Sequence, residues 1–171
     1  MDATAVAIAS VAVSGVVGTV TPYLSSRAAQ RRLALEIRVE KEREVRDVLD
    51  RGARVLEAAF WSLDQAHRAG TRDPQKGEEL FLDSITKRLT AVSQGGARIA
   101  VRLGTRSETV EHFDESQRQL RRLADKIHRD DIKVVDLTTT TEWEQAVAAQ
   151  KDYLDSAQHI VGLQASGYRG S

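Results

Sequence analysis

From Ala3 to Ser26 the chain carries no charged side chain. This stretch, more than any other feature, limits what can be built from the sequence. As a helix it would rise roughly 36 Å at about 1.5 Å per residue, enough to cross a hydrocarbon core of about 30 Å. Val6, Ile8, Val11, Val13, Val16, Val17, Val20 and Leu24 supply the apolar drive. Ser10, Ser14, Gly15, Gly18 and Pro22 oppose it, and Tyr23 suits the headgroup level. Asp2 precedes the run, whereas Arg27, Arg31 and Arg32 follow it. The positive-inside rule then predicts a single-pass anchor with its N-terminus outside and the rest of the chain in the cytoplasm. The same arginines are suited to anionic lipid headgroups. Two rivals are a cleaved signal peptide, which lacks its positive leading region here, and a buried helix of a soluble core. Ser10, Ser14 and Gly18 recur every four residues on one face, a spacing that lets two membrane helices approach closely and points to self-association. An Ala/Gly/Ser-rich span also contains such triplets by chance.

Beyond the span the pattern is helical throughout and predicts an all-α fold: an N-terminal transmembrane helix, a helical stem and an antiparallel bundle of about four helices. Leu49, Leu56 and Leu63, interleaved with Val45, Gly52, Ala59 and Ala66, make one continuous seam on a first helix that reaches about Ala69. Glu42–Arg46, Asp47–Arg51 and Asp50–Arg54 have the spacing of helical ion pairs. Gly70 followed by Asp73-Pro74 stops one helix and starts the next. The second helix is expected from about Pro74 to Leu103, with Leu82, Ile85, Leu89, Val92, Gly96, Ile99 and Leu103 inward and Gly95-Gly96 marking a kink or a close contact. Thr105 with Glu108 has capping-box spacing and would open a third helix carrying Val110, Phe113, Gln117, Leu120, Ala124 and Ile127 on its stripe. A connector, Asp130 to Leu137, leads to a second such box, Thr141 with Glu144. The last helix would then turn Trp143, Val147, Gln150, Leu154, Ala157 and Val161 inward. The last three helices are each expected to run about 25 to 30 residues. The strict alternation Leu33, Leu35, Ile37, Val39 is the one strand-like signal, with Arg98 to Arg102 and Ile132 to Val135 as its nearest partners in pattern.

These lengths divide the chain into an anchor (1–26), a charged stem (27–44) that would hold the bundle about 27 Å from the membrane, the bundle (45–165) and a flexible tail (166–171). Antiparallel neighbours would bring Trp61 and Trp143 to the membrane-distal end, in one layer.

The 171 residues include 25 basic and 25 acidic side chains, and this neutral balance argues against a dedicated nucleic-acid binder. With no cysteine, disulfides, thiolate zinc sites and cysteine nucleophiles are excluded. No phosphate loop or serine elbow is present. Asp64-x-x-His67, Asp125-x-x-His128 and the acids Glu78, Glu79, Glu142 and Glu144 share the distal end and imitate a di-metal carboxylate bundle. However, the acids are aspartates, they sit at helix ends, and Asp64 and Asp125 lie outside the seams. Acids at helix starts and bases at helix ends also follow from the backbone dipole alone. No metal or other cofactor is therefore expected. Arg118, Arg122, Lys126 and Arg129 form a basic stripe on the third helix, read as a solvated face before a binding one. His112 and His159 stand alone.

The anchor, followed by Ser25-x-Arg27-Ala28-Ala29-Gln30-Arg31-Arg32, a long charged helix and a helix ending Arg102-Leu103-Gly104, resembles a recurrent type of small, N-terminally anchored helical membrane protein of actinobacterial type. An arginine-rich, Ala/Val-rich composition agrees with a GC-rich bacterial genome. The resemblance implies a membrane location and no activity. The expectation is a non-enzymatic, membrane-anchored interaction or scaffold module, with membrane lipid, a cytoplasmic protein or its own copies as partners. The alternatives are a holin-like membrane-permeabilising protein and a di-metal enzyme.

Overall fold

The structure, a computed structural model, describes the backbone of residues 3–166 and the side chains of residue 27 and residues 29–162. Every regular element among them is helical: α1 (Ala3–Gly70), α2 (Pro74–Leu103), α3 (Glu108–His128) and α4 (Thr141–Ser166), with a 3-10 helix at Val134–Thr139. Among the described residues there is no strand, and no helix is long and apolar enough to cross a membrane. The side chains on which the transmembrane expectation rests, Ser10, Ser14 and Gly18 included, lie outside the described residues, as do residues 167–171. The chain divides into two units, residues 1–43 and 44–171.

In the first unit the described side chains all belong to α1. Leu33, Leu35, Ile37 and Val39 are helical, as the stem reading expects, and exposed, so their strand-like alternation marks no strand. At about 100° per residue, alternation on a helix sends Leu33 and Ile37 to one flank and Leu35 and Val39 to the opposite one. Glu42 accepts from Arg38 Nε at 3.0 Å, and not from Arg46.

The second unit is the bundle. Its share of α1 buries Leu49, Gly52, Leu56, Ala59, Leu63 and Ala66, the seam expected from the heptad spacing, and adds Phe60. The other two ion pairs expected on this helix, Asp47–Arg51 and Asp50–Arg54, are not made; Asp64 pairs instead with Arg68 at 2.7 Å. Gly70 closes α1, and Asp73 caps α2 by accepting from the Lys76 amide, with Pro74 in the first turn. The hairpin between them is so tight that a Cβ on Gly77 would stand 2.5 Å from Gly70 Cα. This backbone contact fixes the rotation of α2. Stepping by four from Gly77 turns Phe81 and then Ile85 inward, so Phe81 heads the buried stripe and Leu82, 55% exposed, does not. Gly96 lies against the Phe113 ring and Gly95 against Val55, so the glycine pair marks close packing. Gly104, at φ +85, ends the helix in a conformation that L side chains rarely adopt.

α3 starts two residues later than the Thr105 box predicts. Thr105 falls inside a turn closed by Ser107 N donating to Gly104 O at 3.2 Å, which leaves Ser107 as the N-cap. At 21 residues α3 is shorter than expected. Its predicted stripe is buried apart from half-buried Gln117, and Thr109, Ser116 and Leu123 are buried beside it. The connector is not extended: it winds into the 3-10 helix, burying Val134 and Leu137. The α4 cap also moves by one residue, since Trp143 N donates to Thr140 Oγ1 at 3.2 Å.

α4 departs furthest from its sequence pattern. The buried residues are Ala146, Ala149, Tyr153 and Ala157, while Val147 is exposed and Leu154 half-buried. Three alanines allow α4 to approach α3 closely, and Thr109 Oγ1 meets Ser156 Oγ across that contact at 2.5 Å. Tyr153 stacks edge-on against Phe113 at 5.0 Å and donates its hydroxyl to Leu49 O on α1 at 2.9 Å. Burial drives its phenol pKa well above the ordinary value, with Asp50 adding to the effect. Trp143 packs edge-on against Phe60, whereas Trp61 is 60% exposed, so it is Phe60 and not Trp61 that meets the second indole.

Candidate functional site

Beside the seam, α1 carries a second stripe, Glu44, Val48, Arg51 and Val55, at alternating four- and three-residue steps. On α2 the matching stripe is Ala91, Gly95, Arg98 and Arg102. Because the hairpin is antiparallel, the two run side by side and no third helix covers them. Between them lies a groove of about 500 Å³ lined by Glu44, Asp47, Val48, Arg51, Ala97, Arg98, Val101 and Arg102. A recess of about 110 Å³ shares Val48, Arg51 and Arg98 with it and adds Val55, Ala91, Gln94 and Gly95. Ala91, Gly95 and Ala97 offer no bulk and so leave the space between the two stripes open. Val101 stands at its lip, 88% exposed.

The two walls of the groove differ in net sign, the α1 wall carrying two acids and Arg51 and the α2 wall two arginines. Both acids, Glu44 and Asp47, are on α1, and Arg98 and Arg102 are on α2. Arg102 pairs with Glu44 across the two walls. One turn further along each helix stand Asp47 and Arg98, neither in an ion pair. Arg51, on the α1 wall, is likewise unpaired.

A second cavity of about 300 Å³ opens at the far end of the bundle, between Glu78, Phe81 and Leu82 on α2 and Ile127, His128, Asp130 and Lys133 at the end of α3. Here the sequence had gathered its metal-like constellation, and the structure disperses it. His67 Nδ1 lies 3.1 Å from Val134 O and Nε2 lies 3.2 Å from Thr138 Oγ1, so the ring clamps the 3-10 helix to α1. Asp64 is held by Arg68. Glu142 is held by Lys126, whose hydrogen bond lowers the Glu142 pKa. Among the described residues no group of three or more His, Asp or Glu side chains could hold a metal ion.

The basic stripe is likewise only partly free. Arg118 bonds Glu115 at 2.9 Å and Lys126 bonds Glu142, while Arg122 and Arg129 are exposed. His112 lies 3.6 Å from Glu108, and His159 is exposed. The groove residues Val48, Val55, Arg98 and Val101 were not singled out from the sequence. Their signal was present: Val48 and Val55 repeat at seven residues, one position before Leu49 and Leu56.

Comparison of the chain with protein-family models, with curated proteins and with solved structures gives no match.

Proposed function

We propose that this protein is a non-enzymatic, membrane-anchored interaction module that presents the groove between α1 and α2 to a protein partner. The observation that carries the reading is the uncovered groove itself: an apolar floor with Val101 exposed at its lip, rimmed by unpaired charge. The anchor rests on sequence, the uncharged run Ala3–Ser26 followed by Arg27, Arg31 and Arg32. It implies a single pass through the cell membrane with the bundle in the cytoplasm. The resemblance to small anchored helical proteins points to the same location.

The test uses full-length protein carrying a photo-crosslinker at Val101 or, as control, at exposed Arg122, in membranes washed with alkaline carbonate. The protein is expected in the washed pellet, protected from external protease in spheroplasts, with adducts from position 101 and none from 122. Release of intact protein by carbonate overturns the anchor. Absence of adducts at 101 overturns the groove as binding face.

A further inference from the structure

We infer that the occupant of the groove is a second copy of this chain, docked about a two-fold axis that runs parallel to the groove. This rests on the groove being a binding face and not on the anchor.

The argument begins with the signs of the two walls. A two-fold axis along the groove keeps every residue at its own level but exchanges the walls, so α1 of one copy faces α2 of the other. Asp47 then meets Arg98 of the second copy, and Arg98 meets Asp47 of the second copy, so the two unpaired charges on each copy form two pairs across the axis. Glu44 and Arg102 lie one turn away at a common level and gain the same opportunity across the axis. Val101, 88% exposed in the single chain, comes to face the α1 wall of its neighbour at the level of Glu44 and Val48. Isologous contacts of this kind require a surface that complements itself under rotation, and walls of opposite sign supply that condition. A two-fold axis running across the groove would instead set Arg98 against its own copy.

The axis has a second property. It leaves the bundle portions of both α1 helices, from Glu44 onward, pointing the same way.

The size of the face sets the strength. From Glu44 to Val55 it is roughly 18 Å long and about 20 Å wide. The footprint is therefore roughly 360 Å² per copy, under half of the about 800 Å² of a standard stable interface. The dimer belongs to the weak, transient class, and confinement to a membrane plane raises its occupancy through effective concentration.

The experiment is charge complementation in the full-length chain, read by sedimentation equilibrium in detergent micelles over a wide concentration range. Asp47→Arg and Arg98→Asp should each weaken dimerisation about tenfold, because each homodimer then places like charges together twice. An equimolar mixture of the two variants should regain wild-type affinity to within about twofold, since both cross-axis pairs are again opposite in sign. Circular dichroism checks helicity. Should either swap reduce it, Asp47→Asn and Arg98→Gln remove the same charges more gently and should each still weaken the dimer. A wild-type chain that stays monomeric, a dimer indifferent to both substitutions, or a mixture no tighter than its components overturns the inference. Such a dimer would also report association through the N-terminal segment in place of the groove. Adducts at Val101 would still stand in the first two cases, assigning the groove to a different protein.

Discussion

At the scale of single residues, Tyr153 ties three helices of the bundle together. It belongs to α4, stacks on Phe113 of α3 and reaches the Leu49 carbonyl of α1. Tyr153→Phe keeps the ring and removes the hydroxyl, so the expected loss is that of one buried hydrogen bond, about 1 kcal/mol. This should appear as a lower melting temperature with unchanged helicity. The pH dependence follows from the raised phenol pKa. A group that holds its proton more tightly when folded stabilises fully below its unfolded value of 10.0, and that contribution is lost as pH rises beyond it. Wild type should therefore lose stability above pH 10 more steeply than Tyr153→Phe, measured by thermal melts across the alkaline range.

At the scale of elements, the hairpin of α1 and α2 is set by backbone against backbone. Gly77→Ala would drive a Cβ to 2.5 Å from Gly70 Cα and 2.8 Å from Gly70 N, atoms that cannot swing aside. A cost of about 1 to 3 kcal/mol is expected, read as a lower denaturant midpoint at constant slope. The ends of this element were legible in the sequence, because Asp73-Pro74 and Gly104 act through local conformation alone. The seam of α1 was legible because Leu49, Leu56 and Leu63 repeat at heptad spacing and face one core. The face of α4 was not. Val147 and Leu154 outweigh Ala146 and Ala149 in any hydrophobic count, yet the alanines are buried because α3 needs a close approach there. Tyr153 turns inward because a carbonyl more than a hundred residues earlier accepts its proton, which no local pattern records. Leu82 was misplaced for a similar reason, since its rotation is decided by Gly77 meeting Gly70 across the turn.

At the scale of the whole molecule, the buried hydrophobic core, from Leu49 to Ala157, lies within the second unit. Residues 44–171 alone should therefore fold, with one cooperative thermal transition whose midpoint lies within a few degrees of the full chain's. Calorimetry of both forms checks this, and a non-cooperative melt of the shorter chain would mean that the first 43 residues contribute to the core. The candidate site was the part least visible from sequence. Each stripe that lines it is ordinary by itself: two valines among charges on α1, small residues and arginines on α2. The groove arises only when the hairpin register sets Glu44 beside Arg102 and leaves Asp47 and Arg98 at the next level.

The opposite signs of those two walls also limit how far assembly can go. In the proposed dimer each copy commits its acidic edge and its basic edge in the same encounter, so this face has nothing left to recruit a third. Crowding would then yield discrete couples through the groove, where a head-to-tail contact would instead grow into filaments or clusters.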